Sequence, residues 1–190
     1  MRLRESPDLK LPNWFRKRAA GSIAVWQDTA PIRSYLFGTE RLEHHAQSLA
    51  AAQPVTAVRF PAIRPLSGRV KENATVLLRA YRTCAQALQA GQTVAPAAEW
   101  LLDNFHLVEQ QLRQIHDDLP PGYYRQLPKL ADGPFAGYPR VFGLAWAYVA
   151  HTDSLMSGPV LARYVRAYQQ GQPLMIGEIW GIAITLRIVL

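Results

Sequence analysis

Four short groups in this 190-residue chain hold the residues whose types and spacing could suggest acid–base chemistry: His44-His45, Asp117-Asp118, His151 with Asp153, and Glu178 with Arg187. Two carboxyl groups can cleave a glycosidic bond when they flank it, roughly 5–9.5 Å apart. Asp117 and Asp118 are adjacent on an expected helix, so they diverge. They also sit at its C-terminal end, where the dipole disfavours negative charge. They read as a solvated face. His44 and His45 likewise point about 100° apart, and metal ligands come as spaced sets, so one ion does not take both. His151 and Asp153, in AHTDS, are two residues apart and do not face each other on a helix. No nucleophile or oxyanion donor accompanies them. They read as a hydrogen-bond network at a helix end, reaching toward Glu178, with a small hydrolase site as the weaker alternative.

Glu178 and Arg187 stand in an otherwise apolar stretch. Nine apart, they are about half a turn out of phase, so each is expected to be buried and paired with a different helix. Such pairs specify packing more than they add stability. Tyr123 and Tyr124, followed by Arg125, could stack on a sugar or a base. Packing at a helix corner is the simpler reading. Cys84 is the single cysteine, which excludes an internal disulfide and a thiolate metal cluster. It lies on an apolar helical stripe and reads as a small buried hydrophobe. A Gly-rich phosphate loop, a zinc spacing and a nucleophile elbow are all missing from the sequence. The contact-network candidates are therefore His151, Asp153, Glu178, Tyr123 and Tyr124, with no catalytic, cofactor-binding or metal-binding residue assigned and no cofactor expected.

The elements that must position these residues are helical. Leu36 to Gln53 forms a first helix, with Thr39 as N-cap and Leu42, Ala46 and Leu49 on one face. Pro54 to Pro65 is a proline-rich loop that would cross the helix ends in extended form. From Ser67 to Ala90, the residues Val70, Ala74, Leu77, Tyr81, Cys84 and Leu88 recur at 4-3-4-3-4 spacing, and Gly91 stops the helix. Pro96 opens a third helix at its first turn, with Leu101, Phe105, Val108, Leu112, Ile115 and Leu119 at the same spacing. Two matched stripes joined by a short turn make an antiparallel hairpin. Pro120-Pro121-Gly122 ends it, and a Pro- and Gly-rich connector runs to Pro139. Gly137–Ser154, Ser157–Gln170 and Leu174–Leu190 complete the set. The last is apolar nearly all round and expects burial on two sides. The fold class is all-α: an irregular bundle of about six helices on the Ser67–Leu119 hairpin.

Apolar residues make up 49% and charged residues 18%, enough for a real core at this length. The net charge of +7 is uneven. Residues 1–20 carry Arg2, Arg4, Lys10, Arg16, Lys17 and Arg18 against Glu5 and Asp8. The chain therefore divides into a basic, largely irregular arm (1–35) and a helical domain (36–190). The arm could meet anionic lipid or nucleic acid. No apolar h-region follows the charged N-terminus, and the longest apolar run, Val141 to Ala150, is about half of the ~20 residues that span a bilayer. The chain reads as soluble, or as soluble and attached to something it does not contain. Its final Ile-Val-Leu, in mid-pattern, reads as a truncated end.

The stretch AAEWLLDNFHLVEQQLRQIHDDLPPGYYRQLPKLADGPFAGYPRVFGLAWAYVAHTDS resembles the N-terminal region of bacterial cyclic β-1,2-glucan synthases. So do YVRAYQQGQPLMIGEIWGIAITLRIVL and the helix FGTERLEHHAQSLAAAQ from Phe37 to Gln53. The resemblance covers roughly residues 35–190. It implies a large multi-domain inner-membrane glycosyltransferase that builds β-1,2-glucan from UDP-glucose, carries the growing chain on the protein and cyclises it. A phosphorylase-like module sets chain length, and the product is exported to the periplasm. In such proteins the catalytic modules lie C-terminal to this region, so no catalytic residue transfers to this chain. The resemblance implies a non-catalytic scaffold on the cytoplasmic side of the membrane. Its partners would be the remaining synthase domains, the glucan chain, and anionic lipid through residues 1–20, with no specific nucleic acid. The alternative is a stand-alone helical adaptor that binds anionic lipid or nucleic acid through its arm.

Overall fold

The computed structural model describes residues 32, 34–56, 66–119 and 122–190. Most of the basic arm (1–31 and 33) and most of the Pro54–Pro65 loop lie outside the described residues.

Those residues form seven helices and two short strands: α1 (Thr39–Ala52), β1 (Val55–Thr56), α2 (Leu66–Gln89), α3 (Pro96–Asp118), α4 (Tyr123–Gln126), β2 (Lys129–Leu130), α5 (Arg140–Thr152), α6 (Gly158–Gly171) and α7 (Ile176–Val189). The all-α reading holds. The single-turn α4 is the helix beyond the expected six. Thr39 is not the cap of α1; Gly38 holds that position, with extended backbone. The expected helix at Gly137 starts three residues late. Gly137 adopts a left-handed φ of 79° and donates its N–H to Leu130 O, and Pro139 bridges to Lys129. The proline loop and the connector meet as an antiparallel pair, Val55 opposite Leu130 and Thr56 opposite Lys129.

The hairpin forms as the two stripes require. Tyr81 and Phe105 pack ring to ring at 4.4 Å, and Gly91 closes α2 with a left-handed φ of 72°. Only its base enters the core. Val70, Ala74 and Leu78 are buried, whereas Leu88 and Trp100 near the turn are 45% and 58% exposed. Cys84, expected inside, is half-buried because it lies on the projecting part.

The centre of the core is α5. Its sequence is apolar on all sides, and Arg140 to Ala145 and Tyr148 to Ala150 are buried. α7 packs along it and α1 touches it. Tyr164 of α6 stacks near Tyr148 and donates its hydroxyl to Leu144 O. On its remaining side Phe142 meets Phe135 and Tyr138 of the connector. α1 lies mainly on α6. A Cβ at Gly171 would come within 2.9 Å of the Ala50 Cβ, so these helices approach at a distance only glycine allows. Among the described residues no helix is long and apolar enough to cross a membrane.

Candidate functional site

Two buried charges of the core, Arg140 and Glu178, meet where α5 begins. Arg140, 5% exposed, meets Glu178, fully buried, in a two-pronged ion pair: Nε to Oε1 and Nη2 to Oε2, each at 2.6 Å. This planar fork-to-carboxylate geometry is the strong form of the interaction. Arg140 also donates to Gln172 Oε1 at 3.1 Å and to Pro173 O at 2.7 Å. Gln172 in turn donates to Ala50 O and Gln53 O, two of the carbonyls that the end of α1 leaves open. Glu178 Oε2 accepts the Met175 N–H, capping α7. One buried pair therefore ties the end of α1, the start of α5, the α6–α7 link and the start of α7. The hydrogen bond that Arg140 donates to Glu178 holds the guanidinium further above its ordinary value. Tyr168 is fully buried beside the pair, and its hydroxyl makes no hydrogen bond of ordinary geometry.

Tyr123 and Tyr124 reach the same helix. Tyr123 donates its hydroxyl to Gly177 O and lies over Gly181, where a Cβ would come 3.2 Å from that hydroxyl. Tyr124 Oη and Thr185 Oγ1 are 2.8 Å apart. Burial pushes the Tyr124 phenol up to about 12, and burial, then the Glu178 charge, raises Tyr123. Lys129 donates to Tyr124 O and Leu127 O, and burial lowers its amine while Glu178 opposes the shift. These tyrosines do pack a helix corner: their hydroxyls face backbone and Thr185, turned inward.

His151 and Asp153 are elsewhere. They end α5, eleven or more residues from Arg140 and roughly 16 Å along the helix. Glu178 is not part of their network, which corrects that expectation: it is committed to Arg140. Asp153 is exposed and takes a left-handed φ of 48°, terminating the helix. His151 Nδ1 lies 2.7 Å from Tyr35 O. A carbonyl only accepts, so Nδ1 carries the proton. The Phe37 ring stacks on His151 at 3.9 Å, His45 stands edge-on at 4.5 Å, and Arg41 covers the other side of Phe37. With Ser34 N–H to Ala150 O and Phe37 N–H to His151 O, this cluster clamps the segment before α1 onto the end of α5.

Burial first, and then the neighbouring His151, lower the His45 imidazole from 6.5. The fold therefore favours neutral His45. As pH falls through 6.5 the unfolded chain binds the proton first, so this contribution is whole above that pH and declines below it. In a proton NMR titration His45 is expected to turn below 6.5, and to move upward in His151→Asn. A midpoint at or above 6.5 in the parent chain would contradict this.

Arg187, expected to be buried, is 39% exposed and approaches Asp118 of α3 at 3.6 Å. Arg140 was not anticipated. Its only sequence signal is a single cation opening a long apolar run. No group of three or more His, Cys, Asp or Glu among the described residues is placed to hold a metal ion.

No protein-family model matches the chain, and no solved structure matches it. Over 161 residues, 84% of this chain, it is 39% identical to the cyclic β-(1,2)-glucan synthase NdvB of Rhizobium meliloti (strain 1021). The chain spans only 6% of that protein's length. The match takes in most of a chain whose buried polar side chains bind its helices to one another, and on that ground the chain is a relative of one small region of a cyclic β-(1,2)-glucan synthase.

Proposed function

We propose that this helical unit is a non-catalytic scaffold region of a cyclic β-(1,2)-glucan synthase, a membrane glycosyltransferase that makes its product from UDP-glucose. The unit works by holding a fixed helical surface against the rest of that enzyme. The observation that carries this reading is the identity along 84% of the chain combined with the 6% share of the synthase it spans. The inward-turned polar groups support it as well. Arg140, Glu178, Gln172, Tyr123 and Tyr124 use their hydrogen-bonding capacity to fix helices. The outward surface of α7, by contrast, is apolar.

The test is an immunoblot of fractionated source cells, paired with incorporation of labelled UDP-glucose by their membranes. The expected result is a membrane-bound band far above the 21.3 kDa of this chain. In addition, in-place deletion of residues 36–190 lowers incorporation, and the isolated unit turns over no UDP-glucose. A band at 21.3 kDa alone, with incorporation unaffected by the deletion, would sink the proposal.

A further inference from the structure

α6 and α7 are seated on different neighbours, α1 and α5 respectively, and a valley of about 560 Å³ opens between them. Each helix turns a stripe into it: Leu161, Ala162 and Val165 from α6, and Ile179, Ala183 and Leu186 from α7. Both stripes follow the three-to-four residue spacing of one helix face. The valley runs with two 14-residue helices, roughly 21 Å. Ala162 and Ala183 leave room along the rims for large side chains from outside. Beyond the valley the apolar surface continues, with Ile176 74% and Trp180 77% exposed.

Resting on the scaffold reading above, we propose that this valley seats an amphipathic helix contributed by another part of the synthase, with acidic residues flanking its apolar face. The shape is that of helix-in-groove recognition, in which apolar anchors at i, i+3/i+4 and i+7 fill a hydrophobic channel. The charge is specific too. No acidic residue lines the valley, while Arg166 and Arg187 stand on its two sides. Arg166 has no carboxylate partner among the described residues, and Arg187 is held only loosely by Asp118. A second copy of this chain would bring like charges together across the interface, which costs affinity. A flat bilayer would touch Ile176 and Trp180 but leave the valley floor unfilled. The relative's length supplies the source. All but 6% of that synthase lies outside the matched region. A helix tethered on the same polypeptide binds the valley intramolecularly, at an effective concentration set by its linker, so an open channel suffices.

The test places a photo-crosslinking benzoylphenylalanine at Ala183 of the full-length protein in its source membranes, and at Arg79 on the exposed face of α2 as a position control. The expected adduct joins Ala183 to a peptide of the same polypeptide beyond this unit, one with helical apolar spacing and flanking Asp or Glu. Ala162→Glu, an exposed rim position, should cut that adduct roughly tenfold by placing bulk and a like charge against the acidic flank, while the helical signal and melting temperature stay unchanged. An adduct to lipid, an adduct of two copies of this unit, or no adduct from a folded protein would overturn the proposal. Each of these results leaves the scaffold reading standing, because that reading fails by band mass and incorporation instead.

Discussion

Glu178→Leu is expected to lower the unfolding free energy by about 3–5 kcal/mol, since it leaves the buried Arg140 guanidinium without its counter-charge. The leucine fills the carboxylate's volume, so the loss is electrostatic. It also uncaps the first turn of α7 at Met175. Arg140→Met should cost a similar amount by stranding the carboxylate. The double variant Arg140→Met/Glu178→Leu is expected to regain much of the loss, because replacing both partners by apolar groups removes the desolvation penalty with the attraction. Full recovery is not expected: Gln172 and Pro173 O would still lose their donor. Urea denaturation of the four proteins gives the coupling directly. Single variants within about 1 kcal/mol of the parent, or a double variant at the sum of the singles, would show that the pair does not hold this corner together.

Phe142→Ala should be nearly as damaging, at about 3–5 kcal/mol. Phe142 is fully buried on α5 and packs against Phe135, Tyr138 and Trp146. Neighbours from the connector and from α5 itself cannot all close over the void. Leu88→Ala, near the hairpin tip, is expected to cost less than about 1 kcal/mol because that side chain already meets water. The contrast locates the hydrophobic centre. Equal losses at the two positions would move it into the hairpin.

The periodic parts of this fold were legible in the sequence. The stripes of α2 and α3, the stop at Gly91 and the Pro96 start depend on neighbours three or four residues away, so each is written locally in the sequence. Glu178 was also legible, because a lone carboxylate in an apolar helix needs a partner. Its partner was not. Arg140 lies 38 residues earlier, and nothing local marks an arginine as buried. Arg187 misled for the same reason: a cation in an apolar run reads as interior, yet its long stem lets the head reach the surface beside Asp118. The two-residue strands Val55–Thr56 and Lys129–Leu130 are too short for any alternation to show. The candidates split in a way spacing could not reveal. Tyr123, Tyr124 and Glu178 gather around α7, while His151 and Asp153 finish α5 at its far end.

The seat of α1 on α6 has a consequence for how the chain is made. α1 leaves the ribosome well before α6, with the apolar faces of Leu42, Ala46 and Ala50 bare. The helix that covers them begins at Gly158, more than a hundred residues later. At the usual pace of synthesis that is a wait of roughly 5–20 s. The closing contacts are also distant in sequence, with Gln47 reaching Gln170 across 123 positions. Closure of this unit therefore waits for α6, and any translation product that stops before α6 is complete carries α1 as an uncovered, adhesive segment.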